Sequence, residues 1–405
     1  MASKVLLCRR DGVPSVAVYD ANTLTPCEDN GRWGGLLLNS SSYMNTLEAS
    51  PDGKLVALRQ QNDGIGLRVV DLDTMSTIAL PGVAATDWPG RYCALWSPDS
   101  TKLALGLTAA PYLRVFSIAD GVATPVTVTQ PPVAIGAMAW SPDGTKLACS
   151  AWTDGAHNLW YHDTTTWAIT TPTTQPDYPP TALAWSASSA HILSGRMPAE
   201  PPTLQVHVVA DWSTISIATL PSQEVQQIEV SPDGAWVGVR QGLTGQVLAY
   251  SFPGMVLQTV SAQPGNSDWI AFTPDSAELW NFSDATSPRI MSYPVSTWVR
   301  GAPAGSPTVD KLTKGQFSNI PVRQLTTGAG QFLDDAGAAA VGRKVRIYDR
   351  ASGVMLIEKT TDASGKFSAT PLHSGAPVDI RVLDDDAGTQ HDDLCFARVV
   401  PVVVP

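Results

Sequence analysis

The six histidines, His157, His162, His191, His207, His373 and His391, are the first side chains to weigh for chemistry. An imidazole can act as general base, proton shuttle or metal ligand, but each task needs a second group at a set spacing. No two of these histidines recur at metal-ligand spacing, and His157 and His162, five positions apart, fall on separate strand positions. Asp384, Asp385 and Asp386, with Asp392 and Asp393 nearby, supply the hard oxygen ligands that calcium prefers. They lack the Asp-x-Asp-x-Asp-Gly alternation that aims several carboxylates at one ion, so they read as a solvated turn. Nucleophile signatures are missing: there is no Gly-x-Ser-x-Gly elbow, and none of the cysteines (Cys8, Cys27, Cys93, Cys149, Cys395) sits in a known local motif. Gly328-Ala329-Gly330 lacks a third glycine, and Ser364-Gly365-Lys366-Phe367 lacks both the upstream glycine and the hydroxyl after lysine, so neither is a phosphate loop. No catalytic, cofactor-binding or metal-ligating residue is therefore assigned, and the chain is expected not to be an enzyme.

Composition narrows the partners. The cysteines are odd in number, widely spaced and free of C-x-x-C pairs, which excludes a disulfide framework or zinc knuckle. Cys93 and Cys149 lie in apolar runs and read as small buried hydrophobes, as in a protein made in a reducing cytosol. A formal net charge of -11 denies the dense basic face that nucleic acid requires. With 43% hydrophobic and 16% charged residues, a large core is available and disorder is not expected. The opening MASKVLLCRRDG carries neither a secretory signal nor an anchor. No stretch approaches the roughly 20 apolar residues of a spanning helix, so membrane insertion is not expected.

One acidic residue does recur on a schedule. Asp52, Asp99, Asp143, Asp233 and Asp275 each sit in a copy of the phrase Ser-Pro-Asp-Gly/Ser. The opening hydroxyls, Ser50, Ser97, Ser141, Ser186, Ser231 and Thr273, are separated by 47, 44, 45, 45 and 42 positions. A period near 45 marks a repeat architecture. Proline fixes φ at the second turn position, aspartate bonds its own backbone, and glycine accepts positive φ, so the phrase is a folding device between two apolar runs. A third segment follows each hairpin: Leu67–Asp71, Leu113–Ser117, Leu159–Asp163, Leu204–Val208, Val247–Ser251 and Arg289–Tyr293. A fourth short run, such as Ser76–Leu80, completes the unit. Four strands in about 45 residues is one blade of a β-propeller.

Ser15–Asp20 fits as a seventh third strand and Lys4–Cys8 as its second, so the chain opens inside a blade. An unpaired edge invites aggregation, and a strand from beyond Arg300, best matched by Gln316–Arg323, is expected to close the ring. The expectation is an all-β chain: a seven-bladed propeller over residues 1–325, closed by strands from both ends, then a small β-sandwich over 326–405. Trp96, Trp140 and Trp185 precede the hairpin phrase and read as packing between blades. Trp33, Trp88, Trp152, Trp212 and Trp298 lie off that register and are expected on loops, where shared exposure would suit ligand or partner binding.

These repeats resemble bacterial-type propellers of the WD-repeat and TolB-like kind, although the Gly-His and Trp-Asp pairs of eukaryotic WD repeats are missing. In the tail, Tyr348-Asp349-Arg350 and Thr361-Asp362-Ala363-Ser364-Gly365-Lys366-Phe367 resemble the carboxypeptidase-regulatory or transthyretin-like sandwich. The phrases VRIYDRASG, TTDASGKFS, VLDDDAG and ARVVPV are similar to C-terminal modules of tailed-bacteriophage virion proteins. His391-Asp392-Asp393 stands where those modules often carry Tyr-Asn. The resemblance implies a structural virion component, of the tail or its attachments. It would be made in the host cytoplasm and bind other virion proteins, further copies of itself or a host surface receptor or glycan. A cellular propeller scaffold for protein–protein interaction is the alternative. A hydrolase or lyase working in the central channel ranks last.

Overall fold

The computed structural model describes residues 4–9, 16–20, 27–28, 44–60, 67–84, 89–153, 155, 157–196, 203–220, 224–242, 245–260, 267–283, 290–301, 312–318, 323–326, 339–372, 374, 376–382, 394–399 and 401–403. Within them the chain forms strands and turns and no helix, so no helix there is long and apolar enough to cross a membrane.

The hairpin phrase folds as its chemistry dictates. At Ser141, the first strand Ile135–Trp140 pairs antiparallel with Lys146–Ala151, then Leu159–Asp163, then the short outer strand Ile169–Thr170. The same meander is built on Ser50 (Met44–Ala49, Leu55–Gln60, Leu67–Asp71, Ser76–Ile78) and on Ser97 (Pro89–Trp96, Lys102–Leu107, Leu113–Ala119, Val122–Val126). It recurs on Ser186 (Pro180–Trp185, His191–Arg196, Thr203–Val208, Thr214–Thr219) and on Ser231 (Val225–Val230, Trp236–Gln241, Val247–Ser251, Val256–Gln258). The Thr273 turn carries Trp269–Phe272, Glu278–Phe282 and Ile290–Pro294. The first strands lie side by side in chain order. These sheets are the blades of a β-propeller, each named below by its turn hydroxyl.

The core lies between blades. Alternation along a strand sends successive side chains to opposite faces, and Lys146–Ala151 is buried on both. Leu147 and Cys149 join Leu113 and Val115 of the Ser97 blade, whereas Ala148 meets Leu183 and Ile192 of the Ser186 blade. Each of the five seams from the Ser50 blade to the Thr273 blade also carries a bond from a side chain to the backbone of the adjacent inner strand. The indoles of Trp96, Trp140 and Trp185 donate to the carbonyls of Glu48 (3.0 Å), Leu95 (3.2 Å) and Ala139 (2.8 Å). That is the inter-blade role their spacing predicts. Val230 and Phe272 then take the tryptophan position. At those seams Thr181 Oγ1 donates to Val225 O (2.6 Å), and Gln227 both donates to Ile270 O (2.8 Å) and accepts from Ile270 N (3.0 Å). Seam contact is so close at Gly106 that a Cβ would stand 2.7 Å from Ile135 Cγ2.

Near the chain start, Lys4–Arg9 pairs with Val16–Asp20 on one side and Leu312–Ser318 on the other. The expected closing strand, Gln316–Arg323, is thus displaced toward the N-terminus. Pro321 has no N–H for a ladder, and Arg323 begins a different strand. That strand, Arg323–Thr326, straddles the expected domain boundary and pairs with Ser368–Leu372 and Val402–Val403. A second sheet orders Met355–Thr360, Lys344–Asp349, Val378–Val382 and Leu394–Val399. One apolar cluster, including Ile347, Phe367, Ala369 and Ile380, joins the two sheets. They contact the propeller through Ser374 Oγ donating to Leu72 O (2.9 Å) and an ion pair between Lys359 and Glu28 (2.7 Å). His373, His391, Asp384–Asp386, Asp392, Asp393 and the Gly328–Gly330 stretch lie outside the described residues.

Candidate functional site: two rims and a central channel

Each blade has two ends. One holds the hairpin phrase and the turn between the third and fourth strands; the other holds the second-to-third loops and the connections to the next blade. At the first rim the carboxylates are committed to folding. Ser141 Oγ donates to Asp143 Oδ1 (2.6 Å) and accepts from Lys146 N (2.9 Å), while Asp143 Oδ1 accepts from Thr145 N (2.9 Å). The other copies repeat these bonds, and in the aspartate-free copy Ser188 stands in for the carboxylate, its hydroxyl 3.1 Å from Ser186 Oγ. For Asp143, partial desolvation raises the pKa, but the bonds from Ser141 and Thr145 overcome it and hold the carboxyl below its ordinary value. Asp233 is lowered chiefly by Ser231.

Neighbouring turns are linked. Glycine and serine alternate at the fourth position, which has positive φ in every copy: Gly53, Ser100, Gly144, Ser189, Gly234 and Ser276. Each serine Oγ accepts from the aspartate N–H of the preceding glycine-type turn: Ser100 from Asp52, Ser189 from Asp143, Ser276 from Asp233. A second rim series escaped the sequence reading. Met75, Trp167, Trp212 and Met255 share the left-handed position between third and fourth strands, and Trp298 holds it after the third strand of the Thr273 blade. Trp212 and Trp298, expected on exposed loops, instead pack into seams: Trp212 stacks on Tyr161 (5.5 Å) and Trp298 stands edge-on to Trp236 (5.3 Å). A left-handed conformation costs a side-chain-bearing residue about 1–2 kcal/mol, which burial of an indole outweighs. Their spacing was the available signal.

Of the four described histidines, His157 is exposed and the other three pack within the blades. His162 is fully buried, accepts from Trp160 Nε1 (3.2 Å), and desolvation lowers its pKa. His207 lies 2.9 Å from Ser194 Oγ and 3.3 Å from Thr214 Oγ1. A serine–histidine contact suggests a nucleophile, yet Ser194 is 3% and His207 7% exposed, and desolvation pushes the imidazole down to about 4. Both groups are thus buried within the blade. His191 packs edge-on to Phe252. Among the described residues no group of three His, Cys, Asp or Glu could hold a metal ion.

The second rim differs. On two of its loops Trp152 (53%) and Tyr178 (40%) are exposed. Both loops are braced. Trp152 N donates to Ala134 O (2.8 Å), and Gln175 accepts from Asn158 N and Leu159 N and donates to Leu159 O. Asn158 Nδ2 reaches Pro176 O (2.8 Å), tying the two loops together. Gln130 braces Leu113 in the same way one blade earlier. Sequence reasoning missed these glutamines; the recurring Gln-Pro pair, at 130, 175 and 263, was the signal.

Between the inner strands runs a cavity of about 320 Å³ whose lining follows one strand from Gln226 to Val230 and takes in Pro232 of its turn. Leu95, Met138, Ile228 and Phe272 supply apolar wall, and Glu48 and Glu229 supply the charge. Gln227 Nε2 donates to Glu229 Oε1 (2.8 Å).

No protein-family model and no curated protein matches this sequence. Among solved structures, the chain is similar to a WD40-type propeller in the crystal structure of a mitotic checkpoint complex, with a TM-score of 0.53 at 17% identity. The match covers 71% of this chain and 82% of that one, and it shows the propeller fold alone.

Proposed function

We propose that this chain is a non-catalytic protein-docking scaffold, a seven-bladed propeller with a C-terminal β-sandwich. The observation that carries the reading is the contrast between its rims. On one, the recurring carboxylates and hydroxyls bond to their own and neighbouring turns; on the other, Trp152 and Tyr178 are exposed on braced loops. Rigid, exposed aromatics are the side chains that anchor protein interfaces. The seventh blade and its closure are supported by Leu312–Ser318, which pairs with Lys4–Arg9 and lies against the inner strands Met44–Ala49 and Trp269–Phe272. The sandwich reading is supported by the apolar cluster shared between the two C-terminal sheets. The partners are other proteins, a second copy included, rather than nucleic acid or membrane.

A second reading, incorporation into a tailed-phage particle after synthesis in the host cytoplasm, has the C-terminal phrases behind it. Asp349 accepts from Ser352 N (2.8 Å) and Asp362 from Lys366 N (3.0 Å), so the acidic residues of VRIYDRASG and TTDASGKFS shape their turns. Affinity recovery of the tagged chain from its native cells tests the scaffold. Stoichiometric partners lost on W152A/Y178A are expected, and recovery unchanged by that double substitution would count against the docking face. Mass spectrometry of purified particles separates the two readings: consistent absence from particles removes the second.

A further inference from the structure

The outer strand of the Ser186 blade is an open sheet edge, and we propose that it pairs antiparallel with the same strand of a second copy of the chain. This goes beyond the docking reading, because the edge is separate from the loops that carry Trp152 and Tyr178. Thr214–Thr219 ends its four-stranded sheet and, among the described residues, is paired only with Thr203–Val208. A strand bonded on one side directs alternate N–H and C=O groups outward, and the ligand whose groups recur at that spacing is another extended backbone.

The other described outer edges are blunted. Ser76–Ile78, Ile169–Thr170, Val256–Gln258 and Val402–Val403 are three residues or shorter. Val122–Val126, Ile290–Pro294 and Ser368–Leu372 contain Pro125, Pro294 and Pro371. Val16–Asp20 carries Asp20, Met355–Thr360 carries Glu358 and Lys359, and Leu394–Val399 carries Arg398. Short length, proline and charge are the devices that keep edges from pairing. Thr-Ile-Ser-Ile-Ala-Thr is six residues long and has neither proline nor charge. Thr214 is exposed, and Ile215 is 48% exposed.

Charge points to a second copy as the occupant. Two chains of net charge -11 repel, so they approach most easily where neither presents charge. Residues 212–223 contain no Asp, Glu, Lys or Arg, and Asp211 and Glu224 bound that stretch. Asp211 accepts from the Ser213 hydroxyl (2.7 Å) and N–H (2.9 Å), bonds that hold its carboxyl below the ordinary value. A parallel pair would set the two Asp211 carboxylates side by side, whereas an antiparallel pair puts them at opposite ends of the ladder. Facing hydroxyl and β-branched side chains favour such pairs. Identical strands paired about a two-fold axis close on themselves, so association stops at two. A contact limited to two six-residue strands falls below the roughly 1,200 Å² of stable interfaces, which makes the dimer reversible.

Sedimentation velocity of the full chain from about 1 μM to about 1 mM should show monomer passing to dimer and no larger species. I215K should weaken dimerisation at least about tenfold, with the urea midpoint unchanged. I215T, neutral and β-branched, should stay within about threefold of the parent. Hydrogen–deuterium exchange at the two ends of the concentration range should show added protection in 214–219 alone. That measurement needs no variant, so it decides the matter even if I215K disturbs the blade. A monomer throughout the range, a dimer with 214–219 unprotected, or a dimer indifferent to I215K overturns the proposal. W152A/Y178A should dimerise as the parent does, and loss of the dimer in that variant also overturns it. The docking reading fails separately, through partner recovery unchanged by W152A/Y178A.

Discussion

The rim of hairpin turns and the rim of loops are made by the same strands, yet they put polar side chains to opposite use. Ser141, Asp143 and Lys146 point their bonding groups at their own turn, and Asp143 N reaches the next blade's Ser189. On the loop rim, Gln175 and Asn158 bond to backbone and leave Trp152 and Tyr178 facing solvent. A turn whose groups satisfy one another can be copied from blade to blade without change. A loop held only at its base can vary at its tip, so recognition collects there.

Perturbing the seams and turns should therefore cost stability, and perturbing the loop tips should not. Gly195→Val should be the most damaging, because a Cβ there collides with Val225 of the next blade. Overpacking of this kind costs about 3 kcal/mol, visible as a lower urea midpoint. Ser141→Ala removes a hydroxyl that is 0% exposed and bonds Asp143 and Lys146. A loss of about 2 kcal/mol is expected in the same assay, from the buried N–H left unpaired.

Acid should act on the blades through His207. Its unfolded imidazole binds a proton near 6.5 and its folded one near 4. The unfolded state holds more protons between those values, so stability is present above 6.5 and falls as pH drops through the window. Between pH 6.5 and 5 the fall should be about 1–2 kcal/mol, and shallower in H207Q. Trp140→Phe keeps one aromatic ring but deletes the bond to Leu95 O and the indole's second ring, for about 1–2 kcal/mol. W152A/Y178A should leave the unfolding midpoint within about 0.5 kcal/mol of the parent while removing partner recovery. A midpoint shift as large as that of S141A would erase the distinction between rims.

What the sequence disclosed follows the same division. The Pro-Asp turn is local chemistry, so the hairpin positions and the third strands were legible, Leu67–Asp71, Leu159–Asp163 and Val247–Ser251 to the residue. Trp96, Trp140 and Trp185 were legible as seam residues because they keep register with the turn. Trp212 and Trp298 were not, because their packing depends on a left-handed backbone that strand alternation cannot reveal. The partner strand of Lys4–Arg9, Leu312–Ser318, lies a few residues before the expected Gln316–Arg323 because its register is set by a segment hundreds of residues away. The channel was illegible for a related reason. Inner strands carry register shifts, as between Val225 and Gln227 and between Ile135 and Ala137. One extra residue reverses which side chains face inward, so Gln226 and Met138 could not be assigned to the cavity by alternation.

Hydrogen–deuterium exchange of the recovered native complex, set against the free chain, tests the claim that one rim folds the protein and the other receives partners. Added protection should fall in 152–158 and 171–179, with 97–102 and 141–146 exchanging as in the free chain. Protection confined to those hairpin turns, with the loops unchanged, would contradict it.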